Sequence, residues 1–178
     1  MVASACTFMI LPILEDPGYG TKEYLNFAEM FVSQNSGVCL HVTLPNKWWS
    51  SARWREIHRY GPKHEARVWK QRGKAMEQIV YAIQLAEICL KYGGEVSFEW
   101  PRDSTVWLRE EVLTFMARHN LYVALVDTCA CGETDDNGKL STRKVQVLSS
   151  SHRQAVSLDA LRCQHYENIE HGKSSDNN

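Results

Sequence analysis

Two acids at the ends of apolar runs are the groups in this chain best placed to do chemistry. In Gly93 to Trp107, GGEVSFEWPRDSTVW, the residues Val96, Phe98 and Trp100 alternate with Glu95, Ser97 and Glu99, and Pro101 withdraws the donor a continuing ladder needs. Glu99 therefore falls at the carboxyl end of a short strand, where open α/β sheets keep their ligand crevice. Leu121 to Val126 is a nearly continuous apolar run with Asp127 at its far end. If these strands are neighbours, Glu99 and Asp127 are candidate catalytic residues: paired carboxylates can hold a divalent ion or orient a base or ribose hydroxyl. The competing reading is structural, with Glu99 capping the helix start at Asp103 to Thr105 or pairing with a cation such as Arg102.

A second constellation is basic and aromatic. Lys47, Trp48, Trp49, Arg53, Trp54, Arg55, Arg59, Lys63, Arg67 and Lys70 follow one another closely, and Arg72 and Lys74 continue the series. Lys47 to Lys74 holds nine Lys/Arg against Glu56 and Glu65, a local +7 in a chain of net charge −1, so the remainder carries −8. Such asymmetry selects an anionic polymer as partner. Phosphates attract the cations, and exposed bases stack on aromatic rings for about 1 to 3 kcal/mol each. Two other readings compete: Trp54 and Trp69 anchor the segment while its cations are merely solvated, or Trp48, Trp49 and Trp54 anchor a protein partner.

Asp16-Pro17-Gly18-Tyr19-Gly20-Thr21 lies between a strand pattern and a helix pattern, which makes Asp16, Gly18 and Gly20 candidates for receiving an anionic cofactor group at a helix amino terminus. The loop is short and lacks a third glycine. No Gly-x-x-x-x-Gly-Lys segment and no Gly-x-Ser-x-Gly elbow occurs, which removes the main support for phosphate-loop NTPase and α/β-hydrolase readings. Cys129, Cys131, Cys163 and His165 supply soft ligands, but Cys-x-Cys is not a zinc knuckle and the next ligand is over thirty residues away. Buried thiols are the expectation there, with no metal site.

The elements that must position these groups alternate. Thr7 to Leu14 and Val38 to Leu44 read as strands, with a helix between them carrying Tyr24, Phe27, Met30 and Phe31. Asn46 to Pro62 reads as a long irregular stretch, and His64 to Lys91 as the strongest helix, stopped by Gly93-Gly94. Ser104 or Thr105 caps a helix with Leu108, Val112, Phe115 and Met116 on its apolar face, ended by Asn120. Asp135-Asp136-Asn137-Gly138 turns the chain into an antiparallel strand at Lys144 to Leu148, and Ala155 to Leu161 reads as a short helix. Strands separated by helices predict an α/β, Rossmann-like, mostly parallel sheet of about five strands, with helices on both faces and an antiparallel closing strand.

At 178 residues and 44% hydrophobic, the chain has the material for one core, expected over 1–171 with a polar tail at 172–178. Several of the six cysteines sit inside apolar runs, as free thiols do, which points to a reducing compartment, nuclear or cytoplasmic. No apolar run approaches the roughly twenty residues of a bilayer-spanning helix, so a soluble protein without a membrane partner is expected.

In order along the chain, HVTLP, a tryptophan-rich polar loop, a long helix, GGEVSFEWP with Trp107, VDTCACG and RCQHYEN resemble a group of eukaryotic and retroelement-encoded proteins over about Gly37 to Gly172. These are similar, more distantly, to the second half of the Rossmann-like methyltransferase fold of DNA cytosine methyltransferases. The resemblance implies a nucleic-acid history and admits S-adenosylmethionine as cofactor, although the cofactor half of the fold is shortened or missing, while a divalent ion is admitted by the acid pair instead. It places Leu44-Pro45-Asn46 where a Pro-Cys loop follows a strand, so Asn46 stands in for the nucleophilic cysteine and cytosine methyl transfer is not expected. Three functions remain open on this reading: a nucleic-acid-binding domain, a metal-dependent nuclease or phosphoryl-transfer enzyme using Glu99 and Asp127, and a protein interaction module.

Overall fold

The computed structural model describes residues 21–164 and the backbone of 171–172. The expected strand Thr7 to Leu14, the Asp16, Gly18 and Gly20 loop, and His165 lie outside the described residues.

Helix α1 (Lys22–Gln34) starts where the Thr21 hydroxyl accepts the Tyr24 N–H at 3.3 Å. Strand β1 (Cys39–Thr43) follows, and then a helix, α2 (Ala52–Tyr60), inside the stretch expected to be irregular. Trp54, Ile57 and Tyr60 recur at helical spacing, but the segment is short and so rich in charge, with only Ile57 buried, that it reads as a polar loop. Gly61, at φ +75°, ends α2 and opens α3 (Pro62–Lys91), with Pro62 in the first turn where its missing donor costs nothing.

The end of α3 shows why the double glycine is there. Gly93 has φ +75°, and a Cβ on Gly94 would lie 2.3 Å from the Val38 carbonyl oxygen and 2.5 Å from Cys89 Sγ. The chain therefore passes tightly under the helix into β2 (Glu95–Pro101). Beyond it, Ser104 caps a 3-10 turn at Thr105–Leu108 through the Val106 N–H, and α4 (Glu110–His119) stops at Asn120 in the left-handed region, φ 50°. Leu108, expected on the apolar face, is exposed. Strand β3 (Tyr122–Asp127), short β4 (Leu140–Ser141), β5 (Lys144–Ser149), α5 (His152–Asp159) and β6 (His171–Gly172) complete the described chain. β6 pairs with β4 in a small second sheet.

The main sheet has four strands in the order β1-β2-β5-β3. β1 and β2 are parallel, and β5 is antiparallel to both β2 and β3. This corrects the mostly parallel, five-stranded expectation: the protein is α/β, but its sheet is mixed. The Lys144 to Leu148 strand is antiparallel as expected, yet it occupies the interior of the sheet instead of closing its edge. β3 is an edge strand, as β1 is, with Tyr122 and Val123 exposed, so its apolar run does not mark a strand covered on both faces.

Register divides the core. Val42, Val96, Phe98, Trp100 and Leu148 meet Ile79, Ala82, Ala86 and Cys89 of α3 and Val112 and Phe115 of α4. On the other face, Ala124, Val126, Val145 and Val147 meet Ala155 of α5. Phe98 and Trp100 stack at 5.7 Å, and Trp107 meets Trp100 edge to face at 5.0 Å while donating its indole N–H to the Pro101 carbonyl at 2.9 Å.

Candidate functional site

The carboxyl ends of β1 and β2 border a cleft of about 420 Å³, lined in part by Thr43, Asn46, Glu99, Glu133 and Arg143. Glu99 does lie at a strand-end crevice. Its carboxylate is already committed: Arg143 Nη2 donates to Oε1 at 3.1 Å, and the same guanidinium reaches Glu133 Oε1 at 3.4 Å. His41 stands beside it, Nε2 3.7 Å from Glu99 Oε2, with Nδ1 2.8 Å from the buried Ser97 hydroxyl. This is a cross-strand polar network. Ser97 is too buried to attack a substrate. Asn46 is tied down as well, accepting the Ser104 hydroxyl at 2.5 Å, while Trp49 N–H donates to its carbonyl at 2.8 Å.

Asp127 does not join Glu99. β5 lies between their strands, and the register sets Glu99 level with Ala124, three residues short of Asp127. Two strand spacings across and three residues along separate the acids by about 10 Å in each direction, and an odd offset turns them to opposite faces. Asp127 instead accepts the Cys163 N–H at 2.9 Å, with Lys144 Nζ 4.0 Å away. Acids side by side would require β2 and β3 to be neighbours, and β5 lies between them.

The tryptophan-rich segment is organised around Arg72. This side chain is 5% exposed and lies 5.6, 5.4 and 5.1 Å from the rings of Trp49, Trp54 and Trp69, while its Nε donates to the Trp48 carbonyl at 2.9 Å. Trp54 and Trp69 meet edge to face at 6.4 Å. No carboxylate among the described residues pairs with Arg72, so ring quadrupoles replace the counter-ion and offset part of its desolvation. Burial, reinforced by the nearby Arg109 cation, holds its pKa below the usual arginine range. Thr105 N–H and hydroxyl both donate to the Trp49 carbonyl at 2.9 Å, which fixes this loop to the start of the 3-10 turn.

The sequence-predicted contact residues thus separate into two sets. Trp49 and Arg72 are buried, and Arg53 pairs with Glu56 and donates to the Lys47 carbonyl, so these build the platform. Lys47, Trp54, Arg55, Arg59, Lys63, Arg67, Lys70 and Lys74 are exposed, and Trp48 is half-buried. On α3, positions 63, 67, 70 and 74 recur at i, i+4, i+7 and i+11 and so form one straight row about 16 Å long. Among the described residues none of these four cations pairs with a carboxylate. The row is flanked by two small exposed residues, Ala66 and Gly73. A Cβ on Gly73 would meet nothing within 4 Å, so no packing requires glycine there. This flank leaves no signal in the sequence, where a lone glycine inside a helix pattern looks like a flaw.

Cys129 and Cys163 come together beside Asp127, lining a second hollow of about 280 Å³. Burial, helped by Cys163 and by Asp127, pushes the Cys129 thiol up to about 11. Cys89, which donates to the Val38 carbonyl at 3.1 Å, is also raised by burial to about 11. Cys131 is exposed, and among the described residues no group of three or more His, Cys, Asp and Glu is placed to hold a metal ion. Nor is any described helix long and apolar enough to cross a membrane. Comparison of the chain with protein-family models, with curated proteins and with solved structures finds no match.

Proposed function

We propose that this chain is a nucleic-acid-binding α/β domain whose contact surface is the exposed side of α2 and of the first half of α3. One observation carries the reading: Lys63, Arg67, Lys70 and Lys74 line up, solvent-exposed and without carboxylate partners among the described residues, on a platform that the Arg72 cage makes rigid. Arg55 and Arg59, one turn apart on α2, extend the cationic face. A solvated helix face ordinarily intersperses both signs of charge, whereas Lys47 to Lys74 concentrates a net +7.

The nuclease reading loses the convergence it needs, because Glu99 is neutralised by Arg143 and Asp127 faces elsewhere. The interaction-module reading loses Trp49, which is buried. The common direction of β1, β2 and β3 supports a methyltransferase-like ancestry at that coarse level, and no methyl transfer is proposed.

The test is fluorescence anisotropy with labelled mixed-sequence oligonucleotides, single-stranded and duplex, against the wild type and a variant with Lys63, Arg67, Lys70 and Lys74 all changed to Ala. Binding by the wild type and its loss in a folded variant are expected. Equal binding by both proteins, or by neither, contradicts the proposal.

A further inference from the structure

Resting on the basic-face reading, we infer that the face is built for single-stranded nucleic acid: the row Lys63, Arg67, Lys70 and Lys74 holds phosphates while unpaired bases stack on Trp54, Trp69 and Tyr60. Three observations converge on it.

The first is exposure. Trp54, Trp69 and Tyr60 leave 44%, 46% and 59% of their surfaces open to solvent, on the same two helices that carry the cations. The core takes Ile57 from α2 and Val68 from α3 and leaves these three rings outside. Unpaired bases use such rings as stacking platforms whatever their sequence, because every base has a π-face. A duplex shows only base edges, in its grooves, so it keeps the phosphate contacts of the row and forfeits the rings.

The second is rigidity. The chain folds back at Gly61, so that Trp54 of α2 meets Trp69 of α3 edge to face at 6.4 Å. The buried Arg72 guanidinium supports the inner side of both rings, at 5.4 and 5.1 Å, and the Trp69 indole N–H donates to Glu65 Oε1 at 3.3 Å. Tyr60 stands at the turn between the helices, against the Arg59 guanidinium at 5.5 Å and the His64 ring at 5.3 Å. The platforms are in place before a base arrives, and stacking incurs little of the side-chain ordering that weakens association.

The third is composition. Aromatic anchors also mark protein–protein interfaces, but those interfaces are depleted in lysine. Here Lys63 lies three residues beyond Tyr60 and Lys70 follows Trp69, so cations and rings interleave along the chain. A polymer that carries both anionic groups and flat π-faces matches that alternation.

The experiment titrates a labelled mixed-sequence DNA strand of about 20 nucleotides, alone and annealed to its complement, with the wild type, Tyr60→Leu and Trp69→Leu, and uses thermal unfolding as the check on folding. Leucine leaves the charge unchanged and keeps an apolar side chain without a ring, so electrostatics cannot explain a loss. The expected result is wild-type preference for the single strand by about tenfold or more, with each variant losing about fivefold or more in single-strand affinity and less than about twofold in duplex affinity. Tyr60 lies outside the Arg72 cage, so Tyr60→Leu decides alone if Trp69→Leu loses its fold. Equal or tighter binding of the duplex by the wild type, or unchanged single-strand affinity in a folded variant, overturns this inference while leaving the basic face standing. Binding of neither form overturns both.

Discussion

The Arg72 guanidinium stacks 5.1 Å from the Trp69 ring, one turn away on the same helix, and closes with Trp49 and Trp54 a cage in which a buried cation has aromatic faces in place of a carboxylate. The cage joins α3 to the loop after β1 and to α2, so it holds the basic face to the sheet. Arg72→Ala removes three cation–π contacts and the bond to the Trp48 carbonyl; a loss of about 2 to 4 kcal/mol is predicted, read from chemical unfolding. Arg72→Lys loses the planar stack and recovers less than half of this. A native-like midpoint for Arg72→Ala would show that the cage is not structural.

The two glycines of opposite character give opposite signs. Gly94→Ala forces a Cβ against the Val38 carbonyl and Cys89 Sγ and is predicted to cost about 2 kcal/mol or more. Gly73→Ala meets open space in a helix interior and is predicted to stabilise by about 0.5 to 1 kcal/mol. Paired thermal melts decide both, and stabilisation by Gly94→Ala would contradict the close approach at the end of α3.

Glu99 is predicted to be dispensable for binding. Its carboxylate serves Arg143 at the carboxyl end of β2, so Glu99→Gln should change oligonucleotide affinity by less than about twofold. No divalent ion should be needed for binding. A large loss of affinity in Glu99→Gln would return the cleft to the centre of function.

Two buried thiols set an alkaline limit. Cys89 and Cys129 are each raised to about 11, above the range of an unfolded cysteine. Between those values the folded chain binds the extra protons, so stability is complete below the unfolded pKa and falls as pH rises towards the folded one. The predicted slope is up to about 1.4 kcal/mol per pH unit per thiol between roughly pH 9 and pH 11. Unfolding midpoints across that window in Cys89→Ser and the wild type measure it; identical slopes contradict the assignment. At pH 8, alkylation should reach the exposed Cys39 and Cys131 well before Cys89 and Cys129.

Local chemistry made much of the described chain legible. β2 follows from the Val96, Phe98 and Trp100 alternation, the stop of α3 from Gly93-Gly94, and the turn before β4 from Asp135, whose carboxylate accepts the Asn137 and Lys139 N–H groups at 2.9 and 3.0 Å. Strand order was not legible, because the alternation that defines β5 is identical whether that strand lies at the edge or inside. The misplacement of Asp127 follows from that alone. The roles of the tryptophans were hidden for a different reason: nothing in the spacing of Trp49, Trp54 and Trp69 reveals that a cation from α3 stands among them. The exposed row, by contrast, is readable from the numbers 63, 67, 70 and 74 once α3 is known to be one straight helix.

The most direct measurement is the salt dependence of duplex affinity for the wild type and for the double variant Lys63→Ala, Lys70→Ala. Four phosphate contacts from the row predict a slope of log Kobs against log salt near −3.6, or about a 100-fold weakening between about 50 and about 200 mM, and the variant should lower the magnitude of that slope by about 1.8. A wild-type affinity indifferent to salt, or a slope that the two substitutions leave unchanged, would contradict the account.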